Sequence, residues 1–155
     1  MEIIWTMINV LKYTIEYKEK WDEFLANSKK TSFMFNRDFI EYHSDRYKDY
    51  SIMVLKHGEI VALLPANIDQ NYKLFSHQGL SFGGLIVSVK AKTRDNLIYL
   101  KEILCYLSNE GIETLIYKEI PDFYSVLGSD EIKYAMFIID AKLIRRDLAL
   151  AIYMK

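Results

Sequence analysis

The sequence predicts a single α/β domain in which a mixed, partly antiparallel sheet is flanked by helices on both faces. A length of 155 residues suits one domain with its own hydrophobic core. Two apolar runs on either side of a His57-Gly58 turn indicate a β-hairpin. A strand, a helix and a second strand over residues 85–117 indicate a right-handed crossover between two parallel strands.

A strand and two helices are predicted before the hairpin. Residues 10–17 alternate apolar and polar side chains, which is typical of a strand. The large apolar residues of segment 19–28 recur at helical spacing and predict a helix with one buried face. A second helix is expected to begin at Asn36, a good capping residue, and to carry Phe39, Ile40, His43 and Tyr47 on one side.

The hairpin is the clearest local signal in the chain. It should pair residues 50–55 with residues 60–64, and Gly58 can adopt the positive φ that so tight a turn requires. Pro65 has no amide hydrogen, so the second strand should leave its ladder there, at an edge or a bulge.

The second half of the chain should alternate strands with one long helix. Residues 85–87 read as a short buried strand. A helix capped by Thr93 follows and ends at Gly111, with its leucines on one stripe. Further strands are predicted over residues 115–117, 134–139 and 148–153.

Composition excludes several classes of function. Twenty basic against 21 acidic residues leave no surplus of positive charge for nucleic acid. Cys105 is the single cysteine and is expected to be a buried, inert thiol in a reducing compartment. The three histidines have no metal-ligand spacing, so no metal site is predicted. With no apolar run long enough to cross a membrane and no signal-like N-terminus, we expect a cytoplasmic protein.

Residues 76–84 (SHQGLSFGG) are the first candidate for chemistry. The glycines allow the backbone of this loop to approach a ligand closely. His77 could act as a general acid or base, because its ordinary pKa lies near neutrality. The alternative is a histidine that hydrogen-bonds the loop backbone and stabilises a tight turn.

The second candidate is the segment 117–124, at the carboxyl end of a predicted parallel strand. Open α/β sheets tend to bind ligands at that end. Lys118 and Glu119 should point to opposite faces, so they would not act together on one atom. On composition alone, a strand-to-helix turn with solvated charges is favoured.

The start of the Thr93 helix is a third candidate, for phosphate. Free backbone amides would meet Lys90, Lys92 and Arg94 there. The preceding residues 88–92 contain no glycine, so side chains would crowd a pyrophosphate. A capped helix with a solvated basic start is the better interpretation.

Taken together, these segments resemble a bacterial group of GNAT-like N-acyltransferases. These are two-lobed proteins related to the Fem-type peptidoglycan aminoacyl transferases, and they often accompany genes for surface polysaccharides. The resemblance runs from about residue 21 to the end of the chain. Its most specific blocks are SHQGLSFGG at residues 76–84 and YKEIP at residues 117–121, with Arg37-Asp38-Phe39 and Leu64-Pro65-Ala66-Asn67 before them.

The resemblance implies a GNAT fold and transfer of an acetyl or other acyl group from acyl-coenzyme A to an amine, on a sugar or nucleotide-sugar in polysaccharide synthesis. It places a catalytic set near the acceptor, made of His77, Tyr117, Lys118 and Tyr124. The substrate pocket would be shaped by Ser76, Gln78, Gly79, Gly83, Gly84 and Glu119. Coenzyme A would lie along Val87, Ser88, Thr93 and Arg94, with its pantetheine between two splayed parallel strands.

Two departures from the pattern shape this prediction. The usual pyrophosphate loop, R/Q-x-x-G-x-G/A, is absent between Val87 and Asn96. Members of the group are two-lobed, whereas this chain has the length of one lobe, so we expect the N-terminal lobe only. The alternative is a non-catalytic binding or assembly lobe that pairs with a second domain or with a second copy. Aminoacyl-tRNA as donor is the least supported option, because the charge offers no basic stripe.

Overall fold

The computed structural model describes residues 8–125, 128 and 130–148. The strands are β1 (Ile8–Lys12), β2 (Lys48–Asp49), β3 (Ile52–Lys56), β4 (Glu59–Leu64), β5 (Asn67–Ile68), β6 (Lys73–Phe75), β7 (Ile86–Val87) and β8 (Thr114–Ile116). The helices are α1 (Lys18–Ala26), α2 (Arg37–Tyr42), α3 (Thr93–Asn109) and α4 (Glu131–Ile138). The strands form one sheet in the order β1-β3-β4-β7 and a second in the order β2-β5-β6-β8.

One long hairpin joins the two sheets. β3 pairs with β4, and β2 pairs with β5 in the same antiparallel register. Between them the amide of Tyr50 donates to the carbonyl of Ala66 at 2.9 Å, so the ladder continues across the kink beside Pro65. His57 and Gly58 both have positive φ, 54° and 83°, as the tight turn requires. The predicted hairpin is confirmed. Strand β4 ends at Leu64, before Pro65, but the prediction that the chain leaves its ladder there was wrong, because pairing resumes at Ala66.

The predicted parallel crossover exists, but its partner strand was wrong. β6 and β7 pair with the same edge of the long hairpin, β6 with β5 and β7 with β4. Residues 76–84 leave this edge between them, so β6 and β7 are two pieces of one interrupted strand. β8 runs parallel to β6 and forms no ladder with β7 in the described residues. The loop separates the two pieces, and β8 ends at Ile116, opposite the first of them.

Helices cover both faces of the sheets because successive strand residues point to opposite sides. On one face, α3 packs with a cluster that includes Ile52, Val54, Ala62 and Leu64. On the other face, Trp21 and Leu25 of α1 and Ile40 of α2 pack with Met53, Leu55, Leu63 and Ile86. The predicted fold class, a mixed and partly antiparallel sheet between helices, is confirmed.

One predicted strand is partly helical and another is wholly helical. β1 ends at Lys12, and residues 15–17 form a 3₁₀ turn after Thr14, so the strand predicted over residues 10–17 was too long. The strand predicted over residues 134–139 is helix α4. Its buried residues, Ile132 and Ala135, are three residues apart, as expected for a helix. The run of apolar residues in the same segment is equally typical of a strand, which explains the wrong prediction.

Smaller predictions also needed correction. The N-cap of α3 is Lys92, and Thr93 is its first residue. Cys105 is exposed, because the buried stripe of α3 runs through Tyr99, Ile103 and Leu107 instead. The helix predicted over residues 19–28 is present as α1.

The second predicted helix, α2, is shorter than expected. Asn36 precedes it but makes no side-chain capping bond, and the helix ends at Tyr42, before His43 and Tyr47. Gly111, with φ 75°, follows the end of α3 as predicted. Of the strand predicted over residues 148–153, only Leu148 lies in the described residues, and it is not in a strand.

None of the helices in the described part of the chain combines the length and the apolar character needed to span a bilayer.

Candidate functional site

Residues 76–84, called the histidine loop below, are tied to the end of β8 by Ser76. The amide of Ser76 donates to the carbonyl of Ile116 at 2.9 Å. The amide of Lys118 in turn donates to the Ser76 hydroxyl oxygen at 2.6 Å, and that hydroxyl reaches the Lys118 carbonyl at 3.4 Å. A side chain thus replaces the backbone pairing where the two parallel strands stop. The two predicted candidate segments therefore lie side by side.

The side chain of Lys118 binds the backbone of the histidine loop. Its ammonium group donates to the carbonyl oxygens of His77 at 3.0 Å, Gln78 at 3.2 Å and Leu80 at 2.7 Å. An ammonium group has three hydrogens, and this arrangement uses all three. Burial lowers the pKa of Lys118, with a smaller contribution from Arg145. We conclude that Lys118 holds the loop in shape through these three hydrogen bonds.

His77 is buried at the start of the loop, with 1% of its surface exposed. Its φ of 67° lies in the left-handed region. Burial lowers its pKa to about 4, opposed by Asp49 and reinforced by Lys118 and Arg37. The imidazole is therefore neutral at pH 7, and its Nδ1 atom has no hydrogen-bond partner. With its pKa lowered, the ring is a weaker base than an ordinary imidazole and carries no proton to donate as an imidazolium at pH 7.

Tyr117 crosses the gap between β8 and β7. Its hydroxyl oxygen accepts a hydrogen bond from the amide of Leu85 at 2.7 Å, and burial raises the pKa of the phenol well above its usual range. Gly84, with φ 103°, lies directly against this hydroxyl, since a Cβ there would come within 2.6 Å of the oxygen. A Cβ on Gly83 would come within 1.8 Å of the Ser76 carbonyl oxygen. These glycines are required by contacts inside the chain.

The exposed tip of the histidine loop is also held from neighbouring elements. Gln78 exchanges two hydrogen bonds with the side chain of Asn67, both of 2.7 Å. Gly79 lies under the ring of Tyr47, where a Cβ would come within 2.5 Å of a ring carbon. These contacts hold the tip of the loop, and Gln78 and Gly79 are exposed there.

Tyr124 and Glu119 lie beyond the end of β8. The Tyr124 ring stacks on Phe82 of the histidine loop, with ring centroids 4.7 Å apart. Glu119 lines a small cavity together with Tyr117, and burial raises the pKa of its carboxyl group. Tyr124 therefore contacts the histidine loop, whereas Glu119 lies beside Tyr117 and Leu85.

The predicted coenzyme A residues do not form an open site. The carbonyl of Val87 accepts from the amide of Lys29 at 2.8 Å, and the amide of Val89 donates to the carbonyl of Asn27 at 3.2 Å. Ser28 bridges Ser88 between these two bonds. Residues 27–30, called the cover segment below, thus pair with the edge of β7 that faces away from β4.

The cover segment is also anchored on its other side. Lys30 forms a bridge with Ser125, and its ammonium group lies 3.3 Å from Asp122. Lys29 forms an ion pair of 2.7 Å with Glu131 of α4, with both side chains largely buried. The segment therefore fills the space between β7 and the chain that follows β8.

The N-terminus of α3 is capped by a side chain of the same helix. The carboxylate of Asp95 accepts a hydrogen bond from the amide of Lys92 at 2.9 Å. It places a negative charge at the helix end that would otherwise favour an anion. Thr93 and Arg94 are exposed and follow the end of β7, whereas the histidine loop precedes its start, so the structure does not bring them together.

Solved structures share this architecture. The aminoglycoside 6′-N-acetyltransferase AAC(6′)-Ih of Acinetobacter baumannii matches with a TM-score of 0.54 and 10% identity, over 96% of this chain and 100% of that one. AAC(6′)-Iy, in complex with the bisubstrate analogue CoA-S-monomethyl-acetylneamine, matches with a TM-score of 0.56 and 12% identity, over 96% and 99%. The fold is that of the GNAT acetyltransferases. At this level of identity, the likeness shows the fold alone.

A longer GNAT-fold chain also matches. The C-terminal DUF2156 domain of a putative lysylphosphatidylglycerol synthetase of Agrobacterium fabrum aligns with a TM-score of 0.50 and 14% identity. The alignment covers 90% of this chain but only 44% of that one. No protein-family model matches the sequence, and no curated protein sequence does.

Reasoning from the sequence missed charged residues that lie near His77 of the histidine loop. Arg37 is 1% exposed and donates to Asp49 at 2.6 Å and to Ser51 at 3.2 Å, while its guanidinium stacks 3.5 Å from the centre of the Tyr13 ring. Asp49 is the carboxylate that acts on His77. Arg37 stood in one block of the resemblance, but nothing in its spacing pointed to Asp49.

Proposed function

We propose that this chain is a lobe of a GNAT-type N-acyltransferase that acts on an amine. In this proposal the lobe contributes to binding of the acceptor, and acyl-coenzyme A is bound elsewhere, by a second lobe or a second copy. The GNAT fold supports the general reaction, and the two aminoglycoside N-acetyltransferases are fold neighbours named for transfer to amines. The observation that supports binding of acyl-coenzyme A elsewhere is the cover segment, which pairs with the edge of β7.

That edge is the place where the resemblance puts pantetheine. A pantetheine chain lying there would need free backbone groups on β7 and on the residues beside it. The carbonyl of Val87 and the amide of Val89 already bond with the cover segment, and the amide of Leu85 bonds with Tyr117. A cofactor would first have to break these bonds, together with the ion pair between Lys29 and Glu131.

The start of α3, where the pyrophosphate would lie, is also unfavourable for binding the cofactor. The missing glycine loop leaves no backbone cradle, and Asp95 caps the amide of Lys92 with a negative charge. A pyrophosphate would meet that carboxylate at close range, where like charges repel. Both ends of the expected cofactor site thus argue against tight binding by this lobe.

A partner would complete the enzyme. Large apolar side chains at the surface of α4 and beyond it favour such an assembly, since exposed apolar patches mark interaction sites. Phe137 is 82% exposed and Leu148 is 85% exposed. An acceptor on a sugar or nucleotide-sugar, a role in surface polysaccharides and a relation to Fem-type enzymes are proposals from the resemblance. A cytoplasmic location is a proposal from the sequence composition.

Titration of acetyl-coenzyme A into the chain by calorimetry tests the proposal. We expect no binding tighter than roughly 100 μM, which corresponds to about −5.5 kcal/mol. Tighter binding would show that the cover segment yields to the cofactor and that this lobe binds its own donor. Light scattering at tens of micromolar separates the two kinds of partner: a dimer favours a second copy, whereas a strict monomer favours a separate lobe.

A further inference from the structure

A surface groove lies between α1 and α2, outside every segment that the resemblance assigns to the site. It has a volume of about 760 Å³, within the range of small-molecule sites. Its walls carry three kinds of group: aromatic rings, hydroxyl or amide side chains, and carboxylates. Those that matter most here are Asp22, Ser32, Phe33, Asn36, Asp38 and Tyr42.

The charged residues that are described in the walls of the groove are acidic. Asp22 and Asp38 line it, and no basic residue is among the described residues of its walls. The amide of Arg37 donates to one oxygen of Asp22 at 3.0 Å and so orients that carboxylate. Asp38 forms an ion pair with Lys18, which is not among the residues that line the groove, and the Asp38 side chain is still 83% exposed. A carboxylate accepts about four hydrogen bonds, so both can take further donors. The groove therefore favours a cationic ligand.

Aromatic rings line the same groove and are unusually open. Phe33 is 69% exposed and Tyr42 is 78% exposed. Phe33 meets Phe39 edge to face at 5.3 Å, which holds the Phe33 ring in place. An open ring face attracts both a cation and the apolar C–H face of a ring-shaped ligand. Together with the carboxylates, these rings complement a saturated ring that carries an ammonium group and hydroxyls.

We propose that this groove binds an amino sugar in its protonated form and that it is the acceptor site of the lobe. This inference rests on the proposed function, which assigns the acceptor to this chain. Ala26 and Thr31 of the groove directly flank the cover segment, so the groove adjoins the covered edge of β7. The hydroxyl and amide groups of Ser32 and Asn36 provide partners for sugar hydroxyls.

Chemical-shift titration of the whole chain, without acyl-coenzyme A, tests the inference with three probes. Glucosamine carries both the charge and the sugar ring, N-acetylglucosamine has the ring without the charge, and ethanolamine has the charge without the ring. We expect glucosamine to shift the amides of the groove and to bind at least about tenfold more tightly than either other probe. Equal affinity for glucosamine and N-acetylglucosamine, or for glucosamine and ethanolamine, would overturn the assignment. So would shifts confined to other regions, or no shift up to roughly 50 mM.

Substitutions of groove residues provide a second test of the proposed site. Phe33→Ala and Asp38→Asn should each weaken glucosamine binding about fivefold or more, because each removes one of the two interactions. Lys18→Met removes the competing cation and should leave the affinity unchanged or raise it. Tyr134→Ala and Glu113→Gln, an exposed ring and an exposed carboxylate outside the groove, are the matched controls and should bind as the wild type does. Equal binding by Asp38→Asn and the controls would refute the role of the carboxylate.

The two proposals fail independently. Tight binding of acetyl-coenzyme A would contradict the proposed division between the lobes, whatever the groove binds. Failure of glucosamine to bind, with acetyl-coenzyme A also unbound, would overturn the acceptor site alone.

Discussion

The amide nitrogen of Leu85 lies 2.7 Å from the hydroxyl oxygen of Tyr117, and this hydrogen bond joins β7 to the end of β8 where the two strands share no ladder. A side chain from one strand satisfies a buried backbone group of the other. The bond belongs to the interior of the fold and occupies an amide that a ligand between the strands would need. Tyr117 therefore stabilises the fold of this chain, and removal of its hydroxyl should lower the free energy of unfolding.

Tyr117→Phe should lower the free energy of unfolding by about 1–3 kcal/mol, because the amide of Leu85 would remain buried without a partner. Urea denaturation followed by circular dichroism measures the change. Tyr134→Phe is the matched control, since Tyr134 is 53% exposed and should tolerate the loss of its hydroxyl. Equal stability of the two variants would mean that water satisfies the Leu85 amide.

Lys118→Met should loosen the histidine loop. The variant keeps most of the apolar stem but loses the three hydrogen bonds to the carbonyls of His77, Gln78 and Leu80. We expect a destabilisation of about 2 kcal/mol and faster hydrogen exchange at the loop amides. Lys101→Met, on the exposed side of α3, should leave both unchanged. Unchanged exchange in Lys118→Met would contradict the role of the ammonium group as a clamp.

Gly83→Ala should destabilise the chain by about 3 kcal/mol, as overpacking in a tight core does. The added methyl group would come within 1.8 Å of the Ser76 carbonyl oxygen, and the backbone of Ser76 is held by the hydrogen bond from its amide to Ile116. The thermal midpoint gives the measurement. Gly128→Ala is the control, because nothing lies within 4 Å of its added Cβ. A wild-type midpoint for Gly83→Ala would show that the loop can shift.

Stability should fall on mild acidification because of His77. Its pKa is lowered to about 4 in the folded chain, whereas an unfolded histidine titrates near ~6.5. Between these values the unfolded state binds a proton that the folded state does not, so stability increases with pH in this window. Between about pH 7.5 and pH 5 the loss should reach roughly 2 kcal/mol.

Urea denaturation at these two pH values measures the effect. His77→Asn keeps a residue that tolerates positive φ and removes the imidazole, so its pH dependence should be smaller than that of the wild type. His57→Asn, at the exposed hairpin turn, should keep the wild-type dependence. The same slope in wild type and His77→Asn would show that another group accounts for the acid sensitivity.

Local signals in the sequence predicted those parts of the structure whose contacts are close along the chain. The hairpin at Gly58 and the helices α1 and α3 depend on turn chemistry and on apolar spacing within a few residues. The two polar segments around His77 and Tyr117 were also expected to meet, because a crossover brings two parallel strands side by side. The order of elements predicted a mixed sheet between helices; the resemblance implied the GNAT fold, and the structural matches agree with it.

Tertiary structure alone decided the features that carry the functional proposals. Lys29 meets Glu131 across more than a hundred residues of chain, and Arg37 meets Asp49 through the packing of α2 on the long hairpin. The apolar run around residue 135 could suit a strand or a helix, and packing against α3 decided between them. Residue types and their spacing determine which local structures are possible. Which backbone edge is free for a ligand depends on how distant segments pair, and hydrogen bonds between such segments leave no periodic mark in the sequence.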